Sequence, residues 1–247
     1  MVERRLCKPE VAGSIPVVST HILGRSMSHM RRLAPVALCL AIVLLAPASA
    51  GARPPFTSSV SRIDAQTREL MTGRSWRPGC PVGFRDLRLV EVTYWGFDHA
   101  AHRGRLVVHR WYAESIVRVF GRLYGASFQI RRMVLVDRFD ADDHRSMRAD
   151  NTSAFNCRYR GGVCCTWSRH AYGKAVDVNP VENPYVWNGG FSPPNGEPFL
   201  DRSQHRRGMI HHHDAVWWAF HAVGWTWGGD WAGEKDYQHF SVCGAVC

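Results

Sequence analysis

A chain of 247 residues with a formal net charge of +10 suits one or two domains. Its basic residues do not gather into runs interleaved with stacking aromatics, which argues against a nucleic-acid-binding protein. Residues 1–50 hold six Lys/Arg and two Asp/Glu, so without them the charge falls to +6, a modest basicity that suits an anionic surface such as a cell wall.

Those fifty residues read as a leader. Met30-Arg31-Arg32 is a short basic start, Leu33 to Leu45 is almost wholly apolar, and Ala48-Ser49-Ala50 has the small-residue pattern of a signal-peptidase site. This predicts cleavage near Ala50–Gly51, with translation starting at Met27 or Met30 and no stable membrane association afterwards. The apolar run is shorter than the about 20 residues of a membrane span, although an uncleaved N-terminal anchor is the alternative. What remains is long enough for one domain with a proper core. It keeps Cys80, Cys157, Cys164, Cys165, Cys243 and Cys247, an even set that favours disulfides in an exported protein. Adjacent Cys164 and Cys165 lack the C-x-x-C spacing of a zinc knuckle.

In chain order, residues 53–59 read as a Pro/Ser/Thr-rich tether and residues 61–72 as a short helix. Residues 51–80 would thus lead into a domain over 81–247. Leu87 to Trp95 alternates as a strand. Phe97–Gly104 is expected to turn and Arg105–His109 to form a second short strand. From Trp111 to Tyr124, Ala113, Ile116, Val117, Phe120, Leu123 and Tyr124 share one face of an amphipathic helix that Gly125 ends. Ile130–Val136 is rich in branched residues and predicts a strand. In the polar stretch that follows, Asp140-Ala141-Asp142-Asp143-His144 fits a solvated acidic turn better than a metal loop, because no Gly or distal Glu completes a calcium pattern. Ala175–Val178 predicts a strand and residues 179–197 a Pro/Gly/Asn loop. Asp214 caps a second helix to Val223 with Val216, Trp217 and Phe220 inward, and Trp225–Trp231 is expected to turn. Helices and short antiparallel strands without a βαβ rhythm make the class α+β, a small antiparallel sheet flanked by helices.

Two segments carry chemistry. His170 and Asp177 lie seven apart with Gly173 between them, where a glycine permits a tight turn that lets the two side chains converge. Alone this is weak, since a lone histidine is more often packed than ligating. Asp236 and His239, three apart, strengthen it: one can ligate while the other acts on the same water. A catalytic zinc typically takes three protein ligands and leaves a fourth position open. His170, Asp177 and His239 fit those three places, with Asp236 as base or as an orienting carboxylate.

Ser168-x-His170-x-x-Gly173-x-Ala175-x-Asp177 followed by Asp236-x-x-His239-Phe240 resembles the zinc D-alanyl-D-alanine peptidase family. That family holds carboxypeptidases, vancomycin-resistance dipeptidases and phage endolysins. Residues 151–158, Asn179-Pro180 and Gly224–Trp231 are similar to its L-alanyl-D-glutamate endopeptidase branch. The resemblance implies the family's fold, which the Hedgehog signalling domain shares, and a monomer acting on peptidoglycan stem peptides in the cell wall or periplasm. It implies Zn2+ held by His170, Asp177 and His239, with Asp236 as catalytic base. It also implies Arg158 gripping a substrate carbonyl or carboxylate, and Ser168 lining the substrate site. Guanidinium suits such a grip because it offers two parallel hydrogen bonds to a carboxylate or oxyanion; a surface salt bridge is the plain alternative for Arg158. A non-catalytic wall-binding or signalling domain is the rival for the whole chain, and the presence of Asp236 beside a full ligand set argues against it. His205 and His211-His212-His213 read as loop histidines rather than a second metal site. Trp217, Trp225 and Trp227 read as core, and Trp187 as a substrate contact.

Overall fold

The computed structural model describes residues 53–160 and 166–242. The expected leader, Cys164, Cys165, Cys243 and Cys247 lie outside them. Among the described residues the architecture is α+β, with three small sheets and four short helices rather than one flanked sheet.

The first sheet carries the bulk of the core. Its central strand β2 (Leu87–Gly96) pairs antiparallel with β1 (Ser58–Arg62) on one side and β3 (Ala101–His109) on the other. Helix α1 (Ala65–Met71) begins at Asp64, whose carboxylate accepts from the Thr67 amide at 2.7 Å. Helix α2 (Ala113–Gly125) lays Ile116, Val119, Phe120, Leu123 and Tyr124 on the same side of the sheet as Val90 and Val92. Leu87 and Leu89 face a second cluster with Ile63, Met71, Val107 and Phe155. Both faces of β2 are therefore dry, and each fully buried large side chain contributes roughly 1.5–3 kcal/mol.

Several expectations change here. The tether instead begins with Arg53, whose guanidinium lies 3.9 Å from the Tyr124 ring, and continues into β1. Ser-Ser-Val-Ser-Arg has almost no apolar alternation; main-chain pairing on an edge, not burial, makes it a strand. The second strand starts at Ala101 and not at Arg105, which shortens the turn. Of the strand expected over 130–136, only β4 (Gln129–Ile130) forms, parallel to the end of β2. Beyond it the Asn151 side chain takes over the backbone: its Oδ1 accepts from Val134 N at 2.9 Å and its Nδ2 donates to Val134 O at 3.0 Å. Helix α3 (Asp143–Arg148), capped by Asp142, occupies part of the expected acidic turn.

The second sheet is β5 (Ala175–Asp177), β10 (His239–Val242) and β8 (Trp225–Trp227), with β10 in the middle. Phe240 on β10 stacks on Phe220 of helix α4 (Ala215–His221) with ring centroids 3.9 Å apart. The third sheet is β7 (Gly190–Ser192), β6 (Tyr185–Trp187) and β9 (Lys235–Asp236). The segment expected to be loop thus holds a hairpin, turning at Asn188-Gly189 with Gly189 at φ +98°. Trp225–Trp231, expected to turn, is a strand followed by one 3-10 turn over Gly228–Asp230. Trp217, Trp225 and Trp227 are buried, as the sequence suggested. Among the described residues no helix is long and apolar enough to cross a membrane.

Candidate metal centre and active site

His170 lies in a 3-10 turn, Arg169–Tyr172, that Ser168 opens and Gly173 closes. Ser168 Oγ accepts from the His170 amide at 3.3 Å, so its hydroxyl first of all fixes the turn that presents the histidine. Gly173 sits at φ +65°, and a Cβ there would come within 2.5 Å of the His109 nitrogen. Both the left-handed backbone and the close approach require glycine. The chain then enters β5, where Asp177 is the last residue.

Register does the next part. On the paired strands β5 and β10, Asp177 stands directly opposite His239. Side chains opposite each other in an antiparallel pair leave from the same face. His239 Nδ1 lies 2.9 Å from Asp177 Oδ1, His170 Nε2 lies 3.1 Å from Asp177 Oδ2, and the two histidine nitrogens are 3.3 Å apart. All three residues are buried, and their ligand atoms lie within 4.8 Å of one another. His170 Nδ1 points to the Ala154 carbonyl at 2.5 Å. That carbonyl can only accept, so Nδ1 carries a proton and Nε2 is the nitrogen that faces the cluster and could ligate a metal.

The donor set fits a metal ion. Two imidazole nitrogens and a carboxylate face one point, and tetrahedral zinc with bonds of about 2.0–2.1 Å needs ligand atoms roughly 3.3 Å apart. Burial alone would raise the Asp177 carboxyl, yet the facing His170 and His239 hold it well below the usual carboxylate range. For His170, burial works against the charged ring but Asp177 outweighs it and raises the imidazole.

Asp236 reaches the same cleft from another sheet. It ends β9 opposite Tyr185, and the chain crosses to β10 through Tyr237 and Gln238, whose carbonyl accepts from Val178 N at 2.9 Å. The three-residue spacing is thus the distance between two sheets. Asp236 Oδ1 is buried and has no hydrogen-bond partner among the described residues. Burial, reinforced by Asp177 and opposed by His239, pushes the carboxyl up to about 7. A carboxyl poised near neutrality beside a ligand cluster is suited to taking and giving a proton.

Arg158 also lines this cleft, and its guanidinium pairs with Asp143 at 2.8 Å. The salt bridge and the cleft position hold together: Asp143, at the start of α3, keeps the arginine in place. Sequence reading placed Asp143 in a solvated turn and missed that contact. It had no means of finding the Ala154 carbonyl, a backbone group whose side chain carries no signal. Cys157, next to Arg158, is disulfide-bonded to Cys80, and the Arg77 guanidinium donates to the Cys157 carbonyl at 2.8 Å. Of the loop histidines, His205 stacks on His211 at 4.0 Å and His212 approaches Asp230 at 3.3 Å, away from the ligand cluster.

Residues 164–242 match the family model described as D-alanyl-D-alanine carboxypeptidase. No curated protein and no solved structure matches the chain. The matched segment, about a third of the chain, contains His170, Asp177, Asp236 and His239, and over it the chain is similar to the D-alanyl-D-alanine carboxypeptidase family.

Proposed function

We propose that the protein is a secreted zinc metallopeptidase that hydrolyses peptidoglycan stem peptides, as a D-Ala-D-Ala carboxypeptidase or an L-Ala-D-Glu endopeptidase. The observation that carries this reading is Asp236: a buried carboxylate oxygen without a partner, beside three converging ligand atoms. A closed structural metal site has no use for such a group, and neither has a binding module.

His170 Nε2, Asp177 and His239 Nδ1 would hold the ion, and two nitrogens with one carboxylate suit zinc. Zinc bound there would supply Lewis acidity toward a scissile carbonyl and make a water easier to deprotonate. Asp236 Oδ1 accepts the proton of the attacking water and returns it to the departing amine nitrogen. Asp143 holds Arg158 at the cleft wall, where the guanidinium meets negative charge on the substrate or the developing oxyanion. Ser168 lines the cleft while its hydroxyl keeps the His170 turn in place. Secretion rests on the leader pattern and agrees with the Cys80–Cys157 disulfide, a bond at home in oxidising compartments.

The test is direct. The protein, supplied with zinc, is incubated with purified peptidoglycan and with soluble pentapeptide stems, alongside Asp236→Ala and a chelated control. Mass spectrometry then identifies the products. Loss of terminal D-Ala defines a carboxypeptidase and a cut after L-Ala an endopeptidase. A zinc-loaded wild type that releases nothing would return the chain to the wall-binding reading.

A further inference from the structure

Three large apolar side chains are exposed among the described residues: Trp111, Trp187 and Trp218. Only Trp187 lines the cleft that holds the ligand cluster. Its position is built rather than accidental. Trp187 and Gly190 are cross-strand partners next to the hairpin turn. A Cβ on Gly190 would lie 2.9 Å from Trp187 Cζ2 and 3.1 Å from Cε2. The indole therefore lies over a bare glycine, and any larger residue would push it away. The Tyr185 ring, 5.0 Å away and tilted by 31°, supports it from the side. A fixed aromatic plate, 38 % exposed, remains open to the cleft.

The sheet also sets its distance from the chemistry. Tyr185 is paired with Asp236, so both project from one face, and Trp187, two residues on, shares that face. Two residues of strand are about 7 Å. The plate is bordered by polar groups: the Tyr185 hydroxyl donates to Glu234 at 2.6 Å, and Arg160 lies 3.7 Å from the same carboxylate. An aliphatic peptide side chain would call for an apolar rim. A pyranose instead offers C–H bonds on its face, which meet the negative face of an indole, and hydroxyls at its edge, which meet carboxylate, phenol and guanidinium. The cleft, about 990 Å³, lies at the upper end of the about 300–1,000 Å³ that enclose drug-sized ligands, which is ample for more than a terminal dipeptide.

We propose that Trp187 is a sugar-stacking subsite that binds the glycan strand to which the stem peptide is attached. The choice of polymer rests on the peptidase reading. A sugar held about 7 Å along the sheet from Asp236 places the early bonds of the stem at the catalytic carboxylate. The last bond of an extended pentapeptide lies about three residues, roughly 10 Å, further along than the first. The subsite therefore favours glycan-attached stems and a cut close to the glycan.

Two measurements test this on the whole protein. In the first, binding to glycan strands stripped of their peptides is followed by co-sedimentation and by tryptophan fluorescence. Wild type is expected to bind, Trp187→Ala about tenfold more weakly, and Trp187→Phe to retain most of the affinity. In the second, kcat/KM is compared for glycan-linked and free stems, and the ratio is expected to fall about tenfold in Trp187→Ala. Stripped strands that wild type does not bind would overturn the subsite, as would a Trp187→Ala loss that is the same on both substrates. Failure of the peptidase reading looks different: neither substrate is cut, while binding of stripped strands still depends on Trp187.

Discussion

Two imidazoles and a carboxylate that meet at 2.9–3.3 Å in a buried site predict a stabilisation by metal that can be read without any substrate. The perturbation is zinc against chelator in wild type, Asp177→Asn and His239→Ala. A ligand that binds only the folded chain at 100 times its Kd adds about 2.7 kcal/mol. For a domain of this size each kcal/mol moves Tm by about 2–4 °C, so zinc should raise the wild-type Tm by roughly 5–10 °C. The shift should shrink as pH falls, because Asp177 raises the His170 imidazole and its proton competes with the cation for the same site. Asp177→Asn keeps the shape but removes the negative charge, and His239→Ala removes a ligand; each should lose most of the shift. Differential scanning fluorimetry at several zinc concentrations is the assay. An Asp177→Asn protein that gains as much as wild type would refute the reasoning. So would a gain that survives His239→Ala and disappears when His211, His212 and His213 are replaced, since the metal would then sit on the loop.

Asp236→Ala should lower turnover by about 10²–10⁴-fold while leaving the zinc-dependent Tm shift in place, separating proton transfer from metal holding. Because the base must be ionised, kcat/KM should rise with pH, and zinc beside a carboxyl otherwise pushed up to about 7 should draw that limb below 7; a flat profile would contradict this. Burial, and Asp150 beside it, push the Glu182 carboxyl up to about 8 from an ordinary 4.5. A folded pKa above the unfolded one gives stability that is complete below about 4.5 and lost as pH rises through about 8. The limit is on the order of 5 kcal/mol, and Arg131, which approaches Glu182 at 3.2 Å, already opposes the rise. Glu182→Gln should flatten the fall of Tm over that window. Phe240→Ala, removing a fully buried ring stacked on Phe220, should cost about 3–5 kcal/mol by chemical denaturation. A loss under 1 kcal/mol would mean that β10 is not anchored through this ring.

Much of the site was legible because its chemistry is dense in the chain. His170, Gly173, Asp177, Asp236 and His239 are residue types with few other reasons to occur at that spacing, and the structure brings His170, Asp177 and His239 together as a group that could hold a metal ion. Helices α2 and α4 were legible for a different reason: apolar residues at a 3.6-residue period record a buried face in one dimension. The strands fared less well. Residues 58–62 and 185–187 become strands through main-chain pairing with 88–92 and 235–236, far along the chain, and such pairing leaves little trace in side-chain pattern. The Asn188-Gly189 pair was a usable hairpin signal hidden in a Pro/Gly-rich stretch. The end of the strand expected at 130–136 depended on the Asn151 side chain, which nothing local announces.

The sequence by itself determined which groups are available to hold a cation and move a proton, because ligand chemistry belongs to residue type. Only the tertiary structure decided how they act. Register set Asp177 against His239, a carbonyl from Ala154 chose the His170 tautomer, and a crossing between two sheets carried Asp236 to the same cleft. Each of these depends on backbone atoms brought together across long stretches of chain. Backbone atoms are the same in every residue, so the sequence cannot name which of them will meet.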